Sequence, residues 1–176
     1  LWLYQWDIGT AFLNAYLKED VYIAIPEGFD KKPGYCWKLK KALYGLKQAP
    51  AEWHGHLCET LTGPELGFKR IAADSCVFIK HVGKHKVIIG AFVDDMLVAA
   101  SNKVLAMTIK AKLSLIYKLD DKGELHYFLG VELTRNLKDH TIFFCQKKYS
   151  IQLCDLFGFW DNPDGSFHSE MFPMDC

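Results

Sequence analysis

Apolar and polar positions along this chain alternate in some stretches and recur at helical spacing in others, with glycine, proline and asparagine marking the breaks. Leu1 to Ile8 is rich in aromatic and branched residues and predicts a strand ending at Asp7. Gly9 to Tyr16 reads as a short turn or helix, and Val21 to Ile25 as a strand stopped by Pro26. Asp30 to Gly34 is a loop and Tyr35 to Leu39 a further short strand. From Pro50, a residue suited to a first helical turn, Trp53, Leu57, Leu61 and Leu66 recur at about helical spacing. They predict an amphipathic helix whose end is disturbed by Gly63-Pro64.

Ser75 to Lys80, a turn at Val82 to Lys84, and the apolar run Val87 to Val93 predict a β-hairpin. Asp94-Asp95 interrupts the run and Met96 to Ala100 resumes it. Ser101-Asn102 offers a cap for a helix carrying Leu105, Ile109, Leu113 and Ile116 and reaching Tyr117. Asp120 to Glu124 reads as a loop, Tyr127 to Thr134 and Thr141 to Gln146 as a hairpin around Asn136 to His140, and Lys147 to Phe157 as a last helix. The succession β, α, β, β, α, β around paired acids predicts an α/β (α+β) fold, a ferredoxin-like split βαβ sheet.

A length of 176 residues, 24% of them charged, suits a single core. The apolar runs fall far short of the roughly 20 residues a bilayer crossing needs, so no membrane partner is expected. The first twenty residues hold Asp7, Glu19 and Asp20 and have no leader pattern. Opening within an apolar segment and without methionine, the chain is expected to be a fragment of a longer protein. Net charge is zero, which by itself argues against nucleic acid, but all 21 Lys and Arg lie within residues 1–150 beside 16 of the 21 acids. The body is therefore mildly basic and the last stretch acidic. Six cysteines without C-x-x-C spacing point to reduced thiols in an intracellular protein, and seven histidines without H-E-x-x-H to structural or surface roles.

Two neighbouring carboxylates flanked by apolar strands repel in a poorly screening environment, and a divalent cation offsets that cost. In a regular strand Asp94 and Asp95 would face opposite ways, so they converge only at the tight turn of a hairpin. Asp7, at the end of another apolar strand, is the candidate third carboxylate of a hard-oxygen Mg²⁺ site. Two such ions about 3.5–4 Å apart clamp the oxygens of an in-line phosphoryl displacement. An ordinary surface Asp-Asp turn is the competing reading of the pair alone.

Several blocks in order resemble the reverse transcriptase of copia-type (Ty/copia) long-terminal-repeat retrotransposons. They are Gln5 to Asn14, Val21 to Ile23 with Pro26 to Phe29, Leu39 to Pro50 (LKKALYGLKQAP), Phe92 to Val98 (FVDDMLV), Gly123 to Glu132, and Gln146 to Tyr149. The resemblance implies a right-hand polymerase. Residues 1–15 and 49–134 would be palm, 16–48 fingers-like, 135–157 the primer-grip and thumb start, and 158–176 an acidic divergent tail. It would extend a primer with deoxynucleotides on an RNA or DNA template, using Mg²⁺ or Mn²⁺, alongside other parts of a retrotransposon polyprotein in a cytoplasmic virus-like particle or the nucleus.

Position by position, the resemblance makes Asp7 and Asp94 the principal metal ligands, Asp95 the secondary one, and the Ile8 main-chain oxygen a further ligand. Phe12 would lie under the sugar as a gate against ribose, with core packing as its other reading. Tyr44 and Gly45 would meet the incoming nucleotide and templating base, the glycine because a backbone must approach closely. Lys47 and Gln48 would contact the nucleic-acid backbone, Lys47 otherwise being solvated, and Phe128, Leu129 and Gly130 would hold the primer end.

Several positions depart from the family. Ala51 stands in place of an arginine, and Phe92 in place of a tyrosine. Asp120 occupies a usual lysine position with Lys122 nearby, so no lysine is assigned as acid on the leaving pyrophosphate. Upstream fingers, protease, integrase and ribonuclease H regions are not in the sequence. Two rivals follow: a non-catalytic retrotransposon remnant binding nucleic acid weakly at most, and another ferredoxin-like two-metal enzyme such as a nucleotide cyclase. The second has no place for Leu39 to Pro50.

Overall fold

A computed structural model describes residues 1–30 and 33–158. It contains strands β1 (Trp2–Ile8), β2 (Tyr16–Ile23), β3 (Trp37–Lys41), β4 (Lys69–Arg70), β5 (Val77–Val82), β6 (His85–Phe92), β7 (Asp95–Ala100), β8 (Leu119–Glu124), β9 (Tyr127–Phe128), β10 (Val131–Asn136) and β11 (Thr141–Cys145). The helices are α1 (Ala49–Thr62), α2 (Lys103–Ser114) and α3 (Lys147–Phe157), with a 3-10 turn at Ala11–Asn14. The fold is thus mixed α/β. Among the described residues no helix is long and apolar enough to cross a membrane.

Residues Leu1–Glu124 form one compact unit, built on a six-stranded sheet in the order β4-β5-β6-β7-β1-β8. Its four-strand section β6-β7-β1-β8, with α1 and α2, has the β-α-β-β-α-β succession expected. Alternation along the strands decides what each face carries. Trp6 and Ile8 of β1, and Met96 and Val98 of β7, join Trp53, Leu57 and Leu61 of α1 and Ile109 and Leu113 of α2 in one buried cluster. Each such large side chain contributes about 1.5–3 kcal/mol by leaving water. The intervening Gln5, Asp7, Asp95 and Leu97 therefore take the sheet's other face.

Asn102 caps α2, its side chain accepting from the Leu105 backbone N–H at 3.0 Å. Residues Leu125–Cys176 form a second unit, whose described part is the three-stranded sheet β11-β10-β9 and α3.

Several expectations need correction. Asp120 to Glu124 is not a loop but lies in β8, an edge strand paired with β1; its Asp, Lys and Gly hide it from propensity, yet charge suits an exposed edge. β2 begins at Tyr16 and ends at Ile23, and β3 lies at Trp37–Lys41, two residues beyond the predicted Tyr35 to Leu39, because their mutual pairing sets the bounds. α2 stops at Ser114, and Ile116 is 47% exposed while Tyr117 turns inward to exchange a 2.7 Å hydrogen bond with the Thr60 hydroxyl. Leu66 is buried but lies beyond the end of α1. The stretch Tyr127 to Thr134 is broken into β9 and β10 by positive φ at Leu129 (50°) and Gly130 (83°). Short β4 had no sequence signal. The acidic stretch 159–176 lies outside the described residues.

Leu61→Ala, at a fully buried helix position, is expected to lower unfolding free energy by about 2–5 kcal/mol. Leu115→Ala, at a site 88% exposed, should stay within about 0.5 kcal/mol; denaturant midpoints compared at equal slope check both.

Candidate active site

The antiparallel pairing of β1 with β7 sets Asp7 directly opposite Asp95. On its other side β1 sets Asp7 opposite Asp120 of β8. Three carboxylates thus lie in a row across neighbouring strands, on the face away from the helices. Like charges directly opposite each other destabilise a sheet. Two groups offset that here. The Gln5 amide Nε2 donates to Asp95 Oδ1 at 3.1 Å. Lys122, the residue at the β8 bulge, binds the Asp120 carboxylate. Its ammonium pKa is raised first by that hydrogen bond and the Asp120 charge, and further by the charges of Asp7 and Asp95.

The third sequence-predicted carboxylate sits on a turn. Phe92 pairs with Asp95, so Val93 and Asp94 alone connect β6 to β7. Val93 has φ 52°, a region that costs a β-branched residue on the order of 1–3 kcal/mol and persists only when its surroundings hold it. Its carbonyl accepts from the indole Nε1 of Trp53 on α1 at 2.8 Å. The next carbonyl, that of Asp94, accepts from the backbone N–H of Ile8 at 2.7 Å. The main chain bearing Asp94 is thereby tied to the residue following Asp7.

Tyr44 closes the group. Its hydroxyl donates to Asp94 Oδ2 at 2.8 Å, and its ring packs on Phe12 with centroids 4.5 Å apart. Partial burial first, then the hydrogen bond to Asp94 and the charges of Asp94 and Asp7, push the Tyr44 phenol up to about 12, against a smaller opposing effect of the Ala11 backbone. Phe12 is only 9% exposed and belongs to the core cluster, so it serves packing while its ring borders Tyr44. A cavity of about 420 Å³ opens beside the turn, lined by Phe12, Pro50, Trp53, His54, Phe92 and Val93 among others.

Gly45 has φ 95°, and a Cβ there would meet nothing within 4 Å. It is required by backbone conformation rather than by close approach of another part of the chain. Lys47 is exposed, and Gln48 precedes α1 with its carbonyl accepting from the Glu52 N–H at 3.1 Å. Phe128, Leu129 and Gly130 belong to the second unit, where Leu129 and Gly130 border a cavity of about 290 Å³ with Tyr127, Gln146, Lys148 and Tyr149. Sequence reasoning did not assign Gln5 or Trp53 to the site, and it named Asp120 and Lys122 only as departures at a usual lysine position. Gln5 was findable as the i−2 neighbour of Asp7 on the same strand face, whereas Trp53 carried only a core signal.

Oxygen donors of this kind suit a hard divalent cation. Among the described residues, no three His, Cys, Asp or Glu side chains are grouped so as to hold a metal ion. Asp94 Oδ2 and Asp95 Oδ1 already accept from Tyr44 and Gln5, so a cation held by these carboxylates would bind beside those donors.

Residues 1–166 match the family model for reverse transcriptase (RNA-dependent DNA polymerase). The chain is 41% identical over 133 residues to the retrovirus-related Pol polyprotein from transposon RE1 of Arabidopsis thaliana, covering 74% of this chain and 9% of that one. It is 35% identical over 129 residues to a putative transposon Ty5-1 protein of Saccharomyces cerevisiae, covering 72% and 41%. The chain belongs to the copia-type reverse transcriptases. A third relative in this group, the Pol polyprotein from transposon TNT 1-94 of Nicotiana tabacum, is 33% identical over 157 residues, covering 87% of this chain and 12% of its own length. The reverse transcriptase segment thus spans less than half of each of these relatives. Reverse transcriptase domains in general use divalent metals.

Because its phenol is raised from 10.0 to about 12, Tyr44 should stay protonated and donating to Asp94 throughout the neutral range. The associated stability is fully present below pH 10 and is lost as pH rises towards 12. A tyrosinate absorbance titration should show one phenol titrating at about 12 that is missing from Tyr44→Phe.

Proposed function

We propose that this chain transfers deoxynucleotidyl groups to a primer on an RNA or DNA template, as the palm and partial fingers of a copia-type reverse transcriptase. The observation that carries this reading is the register setting Asp7 opposite Asp95 beside the turn that bears Asp94. In the reaction the primer 3′-oxygen forms a bond to the α-phosphorus of the incoming nucleotide, and the bond to pyrophosphate breaks. Asp7 and Asp94 would be the principal ligands of Mg²⁺ or Mn²⁺, with Asp95 and the Ile8 main-chain oxygen beside them. When bound, such cations lower the charge barrier to attack and to departure of pyrophosphate.

The chain's own residues do the placing. Phe12, fixed between the core and the Tyr44 ring, would be the wall that excludes a ribose 2′-hydroxyl. Tyr44 and Gly45 would meet the nucleotide, with the Tyr44 hydroxyl holding the Asp94 carboxylate through Oδ2. Lys47 and Gln48 take the nucleic-acid backbone, and Phe128, Leu129 and Gly130 hold the primer end. The working context is association with other parts of the Pol polyprotein.

Primer extension on an RNA template with Mg²⁺ or Mn²⁺ tests the reading. Incorporation by the chain that falls to background in Asp94→Asn supports it. Equal incorporation by both removes Asp94 from the chemistry, and none by either in both metals returns the non-catalytic remnant. In the active protein Phe12→Ala should raise ribonucleotide use relative to deoxynucleotide use by roughly tenfold or more; an unchanged ratio rejects the gate.

A further inference from the structure

The Val93–Asp94 turn has a close competitor. A two-residue hairpin with positive φ at its first position and ordinary φ at its second follows the type II′ pattern, which favours glycine first; Val93 has φ 52° and Asp94 is not among the positive-φ residues. Turning the single peptide group between them over gives type I′, with positive φ at both positions. Aspartate tolerates that conformation well. Valine gains nothing from remaining in II′. Such a flip would swing the Val93 carbonyl away and re-aim the Asp94 side chain.

One contact opposes the flip. The oxygen of that same peptide group accepts from the Trp53 indole at 2.8 Å. Trp53 is 2% exposed, and its ring is set edge-on to Tyr117 with centroids 5.4 Å apart. The donor therefore cannot follow the carbonyl. A buried indole N–H without an acceptor is also unfavourable in itself.

We propose that Trp53 is a positioning residue: by holding the Val93 carbonyl it selects the turn conformer that aims Asp94 at the divalent cation, and so sets the cation affinity of the site. The inference rests on Asp94 being a metal ligand, the reading given under the proposed function. Trp53 itself touches no reacting atom.

Trp53→Phe keeps an aromatic ring and removes the donor. Mn²⁺ binding, followed by paramagnetic relaxation, should weaken by roughly three- to tenfold, the effect of one net hydrogen bond, and the Mg²⁺ needed for half-maximal primer extension should rise alike. The KM for deoxynucleotide should stay within about twofold, as expected of lost alignment rather than lost substrate binding. Val93→Gly makes the II′ turn intrinsically favourable, so in that background the Trp53→Phe penalty on Mn²⁺ binding should shrink.

Loss of thermal stability with unchanged Mn²⁺ binding in Trp53→Phe would leave Trp53 as core packing and overturn the proposal. So would an equal penalty in the Val93→Gly background. Asp94→Asn separates the two levels: Mn²⁺ affinity unchanged in that variant defeats the ligand reading, whereas affinity lost there but kept in Trp53→Phe defeats only the positioning role. Should Trp53→Phe fail to fold, hydrogen exchange of the Trp53 indole N–H in the unaltered chain decides: slow exchange is expected, and exchange at the rate of an exposed indole overturns the proposal.

Discussion

The antiparallel pairing of β1 with β7 is the constraint on which the rest of this structure depends. It matches Trp6 with Met96 on the core side and Asp7 with Asp95 on the opposite side. Because side chains alternate with period two, a slip of one residue in β1 would send Trp6 to the opposite face and drive Asp7 under the helices. The large apolar side chains that stabilise the sheet thus also specify where the acids lie. Stability and siting of the charges are one choice of register.

That arrangement concentrates negative charge, and the neighbours show how the chain tolerates it. Asp95, Asp7 and Asp120 lie across three adjacent strands, and Asp95, Asp120 and the neighbouring Asp94 each receive a different compensation. Asp95 takes an amide from Gln5, Asp120 takes the ammonium of Lys122, and Asp94 on the turn takes the phenol of Tyr44. Neutral donors on two of these sites are easily shared, while the one full cation sits at the outer strand. The charge pattern is graded from the turn outward.

Much of this was legible in the sequence because hydrophobic pattern and punctuation agreed. Val87 to Val93 and Met96 to Ala100 are apolar runs broken by two acids, and they became β6 and β7 with the acids at their junction. Trp53, Leu57 and Leu61 fell at helical spacing and are buried on α1. What failed was whatever depends on a partner. β8 is polar along its length and is a strand only because β1 offers it hydrogen bonds. β2 extends back to Tyr16 because β3 supplies a mate as far as Lys41. The site divides the same way: the ordered motifs pointed to Asp7, Asp94, Asp95 and Tyr44, yet no linear pattern reveals that an indole forty residues upstream holds the carbonyl of Val93.

The β2–β3 ribbon stands apart from the six-stranded sheet. At its base the Ala42 N–H donates to the Ala15 carbonyl at 2.9 Å and both alanines are fully buried, while Tyr16 and Tyr22 along its length are largely open to solvent. A two-stranded ribbon with so little buried surface is only marginally stable by itself. Its hydrogen bonds are therefore expected to open locally at a lower free energy than those of the sheet. The chain thus joins a well-buried sheet to a ribbon whose base rests on two small side chains.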